Sequence, residues 1–233
     1  MQRFPIIRVI IPAYNEQDSI GHVIKDIPKI VTEVVVCSNN SSDDTVLVAR
    51  NAGATVVEEP NPGYGNACLK AMDYIAQLNE RTDIIVFLDG DYSDYPEQLI
   101  ELVNPIINDD IDVVIGARVS HLREKGSMTL PQIFGNWLAT TLMKWMFASK
   151  FTDLGPFRAI KYDKLLALNM QDKTYGWTVE LQLKALKNNY TYCEIPMKYR
   201  NRIGVSKVSG TVKGAIFAGV KILTWIFKYG IRK

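Results

Sequence analysis

Short apolar runs and helix-spaced apolar positions alternate along the first half of the chain. Arg8–Ile11, Glu33–Cys37, Ala54–Val57 and Ile84–Leu88 read as strands. The last is a β-branched and aromatic run without a polar break, as in a strand buried on both faces. Between them, Ile20, Val23, Ile24 and Ile27 recur at helical spacing until Pro28, and Thr45–Asn51 follows a cluster of N-cap residues. Leu69, Met72 and Ala76 mark one face of a helix over 66–79. This alternation predicts βαβ units and an α/β fold with a mostly parallel sheet. In the second half, Asp112–Ile115 and Pro196–Arg200 read as further strands, and Pro131–Phe151 as a long aromatic helix. A helix opening at Tyr175 carries Leu181, Leu183 and Leu186, and a last one begins at Thr211.

Three of the strands run out into polar, loop-forming clusters: residues 12–16, 38–45 and 89–94. In a doubly wound sheet such strand ends lie side by side and make one crevice. Asp89 and Asp91 stand one residue apart, and in extended backbone alternate side chains point the same way. Two carboxylates facing a crevice repel unless a cation lies between them, and a hard divalent ion that keeps waters and bridges phosphates suits the pair. An Asp-Gly turn closing a hairpin is the plain alternative. Asp94 would touch the metal's waters or cap the helix beginning at Pro96. Gly63 and Gly65 would let backbone approach a ligand closely. No G-x-G-x-x-G follows the first strand and no Gly-Lys-Ser/Thr is present, so the dinucleotide fingerprint and the P-loop are both excluded. A nucleotide bound here would be held through its base and through a metal on its phosphates.

Composition changes this picture little. The 233 residues suffice for a large core, and 47% hydrophobic with 22% charged residues is ordinary for a folded protein. A net charge of +2 argues against an extended nucleic-acid surface. Cys37, Cys68 and Cys193 lack metal spacing and read as buried free thiols of a reducing compartment. The N-terminus enters a strand without a basic and apolar leader, and no stretch offers about 18 uncharged apolar residues. A cytoplasmic protein without a membrane span is expected, and nothing here bears on oligomeric state.

Pro12-Ala13-Tyr14-Asn15-Glu16, the Asn39–Asp43 loop and Asp89-Gly90-Asp91 resemble, in order and spacing, the three signatures of family 2 glycosyltransferases with the GT-A type fold. The C-terminal third is similar to polyprenyl-phosphate sugar synthases of the dolichyl-phosphate mannose or glucose type. The resemblance implies a Rossmann-like mixed sheet flanked by helices. It implies one catalytic domain over 1–210, with a nucleotide-sugar half (1–118) and an acceptor half (119–210), followed by a helical tail (211–233). It further implies nucleotide contacts from Pro12, Ala13, Tyr14, Glu16, Asn39, Ser41, Asp89 and Gly90, and Mg²⁺ or Mn²⁺ on the diphosphate at Asp89 and Asp91. Ser38 stands where the family often has Asp, which leaves uracil and guanine both open.

The resemblance also implies a catalytic set of Asp91, Arg118, Asp153 and Glu180. Arg118, at a strand end, would contact phosphate or pair with a carboxylate. Thr152–Arg158 is similar to the family's acceptor segment, with Gly155-Pro156 replacing Ser-Gly. Glu180 looks like the general base used where a hydroxyl is glycosylated. A polyprenyl phosphate oxyanion needs no base, so Glu180 and Asp153 would then only orient groups or pair with Arg158. Arg202-Ile203-Gly204-Val205-Ser206-Lys207 shares a pattern with the polyprenyl-phosphate sugar synthases, and Arg202, Ser206 and Lys207 could close over phosphates. The 131–151 helix would pack in the core or lie at a lipid headgroup layer. In the tail, Ile216, Val220, Leu223 and Phe227 share one face and Lys213, Lys221 and Lys228 another, suiting either docking on the domain or an anionic membrane surface. The expected activity is inverting, metal-dependent transfer of a hexose from a nucleoside-diphosphate sugar (UDP-glucose or GDP-mannose type) to a polyprenyl phosphate, peripheral at the inner face of the cell membrane. A hydroxyl acceptor with Glu180 or Asp153 as base is the first rival, and a non-catalytic nucleotide-sugar-binding protein the second.

Overall fold

The computed structural model describes residues 4–204 and 212–231. Its elements are β1 (Ile7–Ala13), α1 (Ile20–Asp26), β2 (Glu33–Ser38), α2 (Thr45–Asn51), β3 (Thr55–Glu58), α3 (Tyr64–Ala76), β4 (Ile84–Phe87), a 3₁₀ turn (Pro96–Gln98), α4 (Leu99–Asn108), β5 (Val113–Ala117), α5 (Leu130–Phe147), β6 (Arg158–Lys161), α6 (Tyr162–Leu168), α7 (Trp177–Lys187), β7 (Tyr192–Pro196) and α8 (Val212–Ile231). The strands form one sheet in the order β3-β2-β1-β4-β6-β5-β7. All neighbours are parallel except β6, which runs antiparallel to both β4 and β5. The mostly parallel α/β sheet read from the pattern is therefore present, and it is mixed as the family resemblance implied.

Alternation along β1 divides the core into two layers. Val9 and Ile11 face α1, α2 and α4, through Ile20, Val23, Ala49, Leu102 and Val103. Ile10 faces the opposite layer, built on α3, α5, α7 and α8 with Cys68, Met143, Trp177 and Ile226. Coverage of both faces is why β4, β5 and, beyond Arg8, β1 read as unbroken apolar runs.

Two strand assignments change. β6 was not expected: it is four residues long, flanked by Arg158 and Lys161, and acquires its place only by inserting between β4 and β5. The strand expected over 196–200 lies earlier, at Tyr192–Pro196, where it pairs with β5. Beyond Pro196 the chain leaves the sheet and makes only isolated bridges from Tyr199 to Asp94 and Arg123. Cys37 and Cys68 are buried and Cys193 is partly exposed; burial pushes the Cys37 thiol up to about 12.

The 131–151 segment packs against the core along one face only. α5 begins at a Thr129–Gln132 capping box, buries Ala139, Thr140 and Met143, and leaves Leu130, Phe134, Trp137 and Trp145 exposed. In α8, Trp225 and Ile226 are buried against the body, while Phe217, Val220 and Phe227 point outward. The stripe containing Val220 and Phe227 is thus the outer face of a docked helix. Among the described residues, no helix is long and apolar enough to cross a membrane.

Candidate active site

The loops following β1, β2 and β4 each contain one non-glycine residue in the left-handed region: Asn15 (φ 53°), Asn40 (φ 61°) and Tyr92 (φ 62°). Asparagine adopts this region readily, whereas an aromatic residue needs outside support. Tyr92 has it: the Arg200 guanidinium stacks 3.4 Å from its ring centroid and donates to its carbonyl at 2.7 Å. The first two loops are zipped together. Asn15 N donates to Ser41 Oγ at 3.1 Å, Ser42 N to Asn15 Oδ1 at 2.8 Å, and Glu16 N to Thr45 Oγ1 at 2.8 Å. Asn39 is a scaffold of the neighbouring loop. Its Nδ2 donates to the carbonyls of Glu59 (3.0 Å) and Asn61 (2.7 Å), and its Oδ1 accepts from Gly63 N at 2.7 Å. Gly63 and Gly65 serve a close approach of chain to chain. A Cβ at Gly65 would lie 1.9 Å from the Asp172 carbonyl oxygen, and one at Gly63 2.2 Å from that of Lys173.

These loops open on a cavity of about 570 Å³. Pro12, Ala13, Tyr14, Glu16, Asn39, Asp89, Gly90, Asp91, Arg118 and Arg202 all line it, so the structure brings together most of the residues singled out from sequence. Asp91 Oδ1 accepts from Ser93 N (2.9 Å) and Ser93 Oγ (2.5 Å), and Asp91 Oδ2 lies 2.8 Å from Arg202 Nη2. Asp89 Oδ1 is buried with no hydrogen-bond partner among the described residues. Burial, and then the charge of Asp91, push the Asp89 carboxyl up to about 6, against the pull of Arg202, the nearby Tyr64 hydroxyl and Arg118. An orphaned buried carboxylate oxygen beside a second carboxylate fits a divalent cation, with diphosphate and water completing its shell. Among the described residues no group of three or more His, Cys, Asp or Glu side chains is placed to hold a metal ion. The hairpin alternative for Asp89-Gly90-Asp91 fails because β4 is interior and pairs with β1 and β6 instead. Asp94 does not cap the 3₁₀ turn, whose N-cap is Tyr95; it is buried outside the cavity lining, and its Oδ2 has no hydrogen-bond partner among the described residues.

Three expected site residues do not line this cavity. Ser41 accepts from Asn15 and ties the first two loops. Asp153 lies behind Arg118, accepting from its Nε (2.8 Å), its Nη2 (2.7 Å) and its backbone N (2.8 Å). Burial alone would raise the Asp153 carboxyl, but the Arg118 charge and hydrogen bonds hold it below the usual range. Glu180 is fully buried: its carboxylate accepts from Gln171 N (3.0 Å) and Asp172 N (2.7 Å) and pairs with Lys184 Nζ at 2.7 Å. The carboxylate oxygens of both Asp153 and Glu180 are thus engaged by neighbouring groups in this structure. Glu180 does not pair with Arg158. Buried Arg158 donates to the carbonyls of Leu154, Gly155 and Thr178, fixing the cavity wall at 154–156. Ser206 and Lys207 lie outside the described residues.

The far wall was not legible in the sequence. It comes from Met128, Pro131, Gly135, Leu154 and Pro156, and from Ala218, Gly219 and Ile222 of α8. α8 is latched there by Asp172, whose Oδ2 accepts from Trp225 Nε1 (2.6 Å) and lies 3.1 Å from Lys221 Nζ. Tyr64, Tyr175 and Tyr199 also line the cavity, and no motif marked them.

The fold agrees with comparisons to known proteins. A solved structure of glucosyl-3-phosphoglycerate synthase from Mycobacterium tuberculosis, in complex with Mn²⁺, UDP and glucosyl-3-phosphoglycerate, matches with a TM-score of 0.75 at 20% identity, covering 97% of this chain and 80% of that one. An uncharacterized glycosyltransferase of Mycobacterium tuberculosis is 33% identical over 224 residues, covering 91% of this chain and 94% of the relative. A dolichyl-phosphate hexose transferase of Haloferax volcanii is 31% identical over 217 residues, covering 91% and 90%. Residues 8–167 match the family profile described as Glycosyl transferase family 2, and the chain belongs to that family.

Proposed function

We propose that the protein is an inverting transferase that moves a hexose from a nucleoside-diphosphate sugar to a polyprenyl phosphate at a membrane surface, using Mg²⁺ or Mn²⁺ at Asp89 and Asp91. The observation that carries this reading is the two-sided cavity. Its polar side is made of strand-end loops and the carboxylate pair, and its apolar side of α5 and α8. Those two helices pack together and leave outward apolar faces, with Trp145 80% and Val220 58% exposed. Exposed Lys144, Lys150 and Lys228 suit such a face to anionic headgroups. A sugar acceptor with an apolar tail and an anionic head fits both the wall and the surface. The likeness to the dolichyl-phosphate hexose transferase supports the same acceptor class.

When bound, the divalent ion stabilises the charge that builds on the departing nucleoside diphosphate. The chain's own residues do the rest. Pro12, Tyr14 and Glu16 line the nucleotide side, and Asn39 holds the 59–63 loop in place. Asp153 locks Arg118 with its guanidinium toward the cavity, where it would receive the acceptor phosphate bidentately. A phosphate oxyanion attacks without losing a proton, which agrees with the engaged state of Asp153 and Glu180. Residues 1–118 then act as the donor half and 119–210 as the acceptor half, with the protein peripheral at the inner face of the cell membrane.

The test is an incubation with Mn²⁺, one of UDP-glucose, UDP-N-acetylglucosamine or GDP-mannose, and either a short polyprenyl phosphate or phosphoglycerate. Sugar is expected in the organic phase, with nucleoside diphosphate released, for one donor and the lipid phosphate. Transfer to phosphoglycerate alone would overturn the acceptor assignment.

A further inference from the structure

Arg202 is held at the carboxylate pair by its backbone as well as its side chain. Arg200 N donates to Ser93 O at 2.9 Å and Ile203 N to Asp91 O at 3.0 Å, so residues 200–203 lie along the metal-binding turn itself. Arg200 adds a stack on Tyr92 and Tyr95 and donates to the carbonyls of Tyr92 and Asp94. From this anchored stretch the Arg202 guanidinium reaches Asp91 Oδ2 at 2.8 Å. Ser93 already takes Asp91 Oδ1 through two donors, so Arg202 completes the carboxylate. The other cavity-lining arginine, Arg118, is bound bidentately to Asp153.

A divalent ion held at Asp89 and Asp91 would compete with the Arg202 guanidinium for the Asp91 carboxylate, by charge above all. Free metal would therefore displace Arg202 without itself bringing an anion to receive it. A metal that arrives on a diphosphate brings that anion: Arg202 needs only a side-chain rotation to pass from carboxylate to phosphate, a geometry guanidinium favours equally. We propose that Arg202 is a placeholder cation which makes the carboxylate pair selective for metal bound to a nucleoside diphosphate over metal alone. This rests on the reading of the cavity as the donor site. It predicts effects of opposite sign from one substitution, which a merely structural role would not give.

The test measures free Mn²⁺ binding by electron paramagnetic resonance and Mn²⁺–nucleotide binding by calorimetry, using UDP and GDP in parallel. In Arg202→Gln, affinity for free Mn²⁺ is expected to rise about tenfold while affinity for the Mn²⁺–nucleotide complex falls about tenfold. Arg202→Lys, which keeps the charge, should leave free Mn²⁺ affinity near that of the natural protein. A parallel fall of both affinities in Arg202→Gln, or an unchanged affinity for free Mn²⁺, overturns the inference. If the natural protein binds neither Mn²⁺–UDP nor Mn²⁺–GDP, the donor-site reading fails and the inference falls with it.

Discussion

On the donor side of the cavity, the chain is fixed by short polar contacts between loops. Asn15 to Ser41, Glu16 to Thr45 and Asn39 to Gly63 are all within 3.1 Å. On the acceptor side, the wall is a packing of α5 and α8 against the body, held by Trp225, Ile226 and one buried carboxylate, Asp172. The first kind of wall positions a charged, rigid ligand whose every oxygen matters. The second tolerates a long apolar ligand and leaves apolar helix faces on the outside. On the proposed function, two substrates of opposite character would account for one cavity having both, and each side can be broken separately.

The largest effect is expected at the carboxylate pair. Asp91→Asn should reduce transfer at least about 10³-fold, about 4 kcal/mol of lost transition-state stabilisation, measured as nucleoside diphosphate release at saturating donor. Vesicle binding should remain unchanged. The outer faces come next. Replacing Trp137 and Trp145 by alanine should weaken cosedimentation with anionic vesicles about tenfold, with the KM for nucleotide sugar unaltered. An equal fall in both readouts would mean that the two sides are not separable.

Glu180→Gln distinguishes a base from a positioning group. Removing one charge of the buried Glu180–Lys184 pair should cost about 2 kcal/mol and lower Tm by about 4–8 °C, with kcat within about threefold. A hundredfold loss of kcat at unchanged Tm would restore the hydroxyl-acceptor mechanism.

The smallest effect is a pH signature of Asp89. Its carboxyl is raised from 3.8 to about 6, so the stability gained from its protonation is complete below the lower value and lost as pH rises through the upper one. In metal-free buffer at pH 7.5, Asp89→Asn should raise Tm by a few degrees, on the order of 1 kcal/mol, and the difference should vanish near pH 4. Mn²⁺ affinity of the natural protein should fall as pH drops through about 6, because the proton and the metal compete for the same oxygens.

The donor side was legible because its parts are local. A strand, a turn and a pair of carboxylates lie within a few residues of one another, and Asn15 and Asn40 are residue types that take left-handed turn positions readily, whereas Tyr92 gives no such signal. The acceptor side was not, because its geometry is made by distant chain segments. β6 is too short and too charged at its ends to be read without the partners it separates. Asp153 and Glu180 look like catalytic acids in isolation, and only the placement of Arg118, Lys184 and the 171–172 backbone shows their oxygens to be engaged. Likewise, the Val220–Phe227 stripe names an apolar face without saying which way it points, and Trp225 decides it.

The most direct measurement is the ratio of kcat/KM for a polyprenyl phosphate to that for phosphoglycerate, with the same donor and Mn²⁺ and with anionic vesicles present. If the α5–α8 wall receives an apolar chain while Arg118 receives its phosphate, the ratio exceeds about 100, since several buried methylenes contribute about 0.8 kcal/mol each. A ratio of one or less, with phosphoglycerate turned over freely, would contradict a lipid-phosphate acceptor.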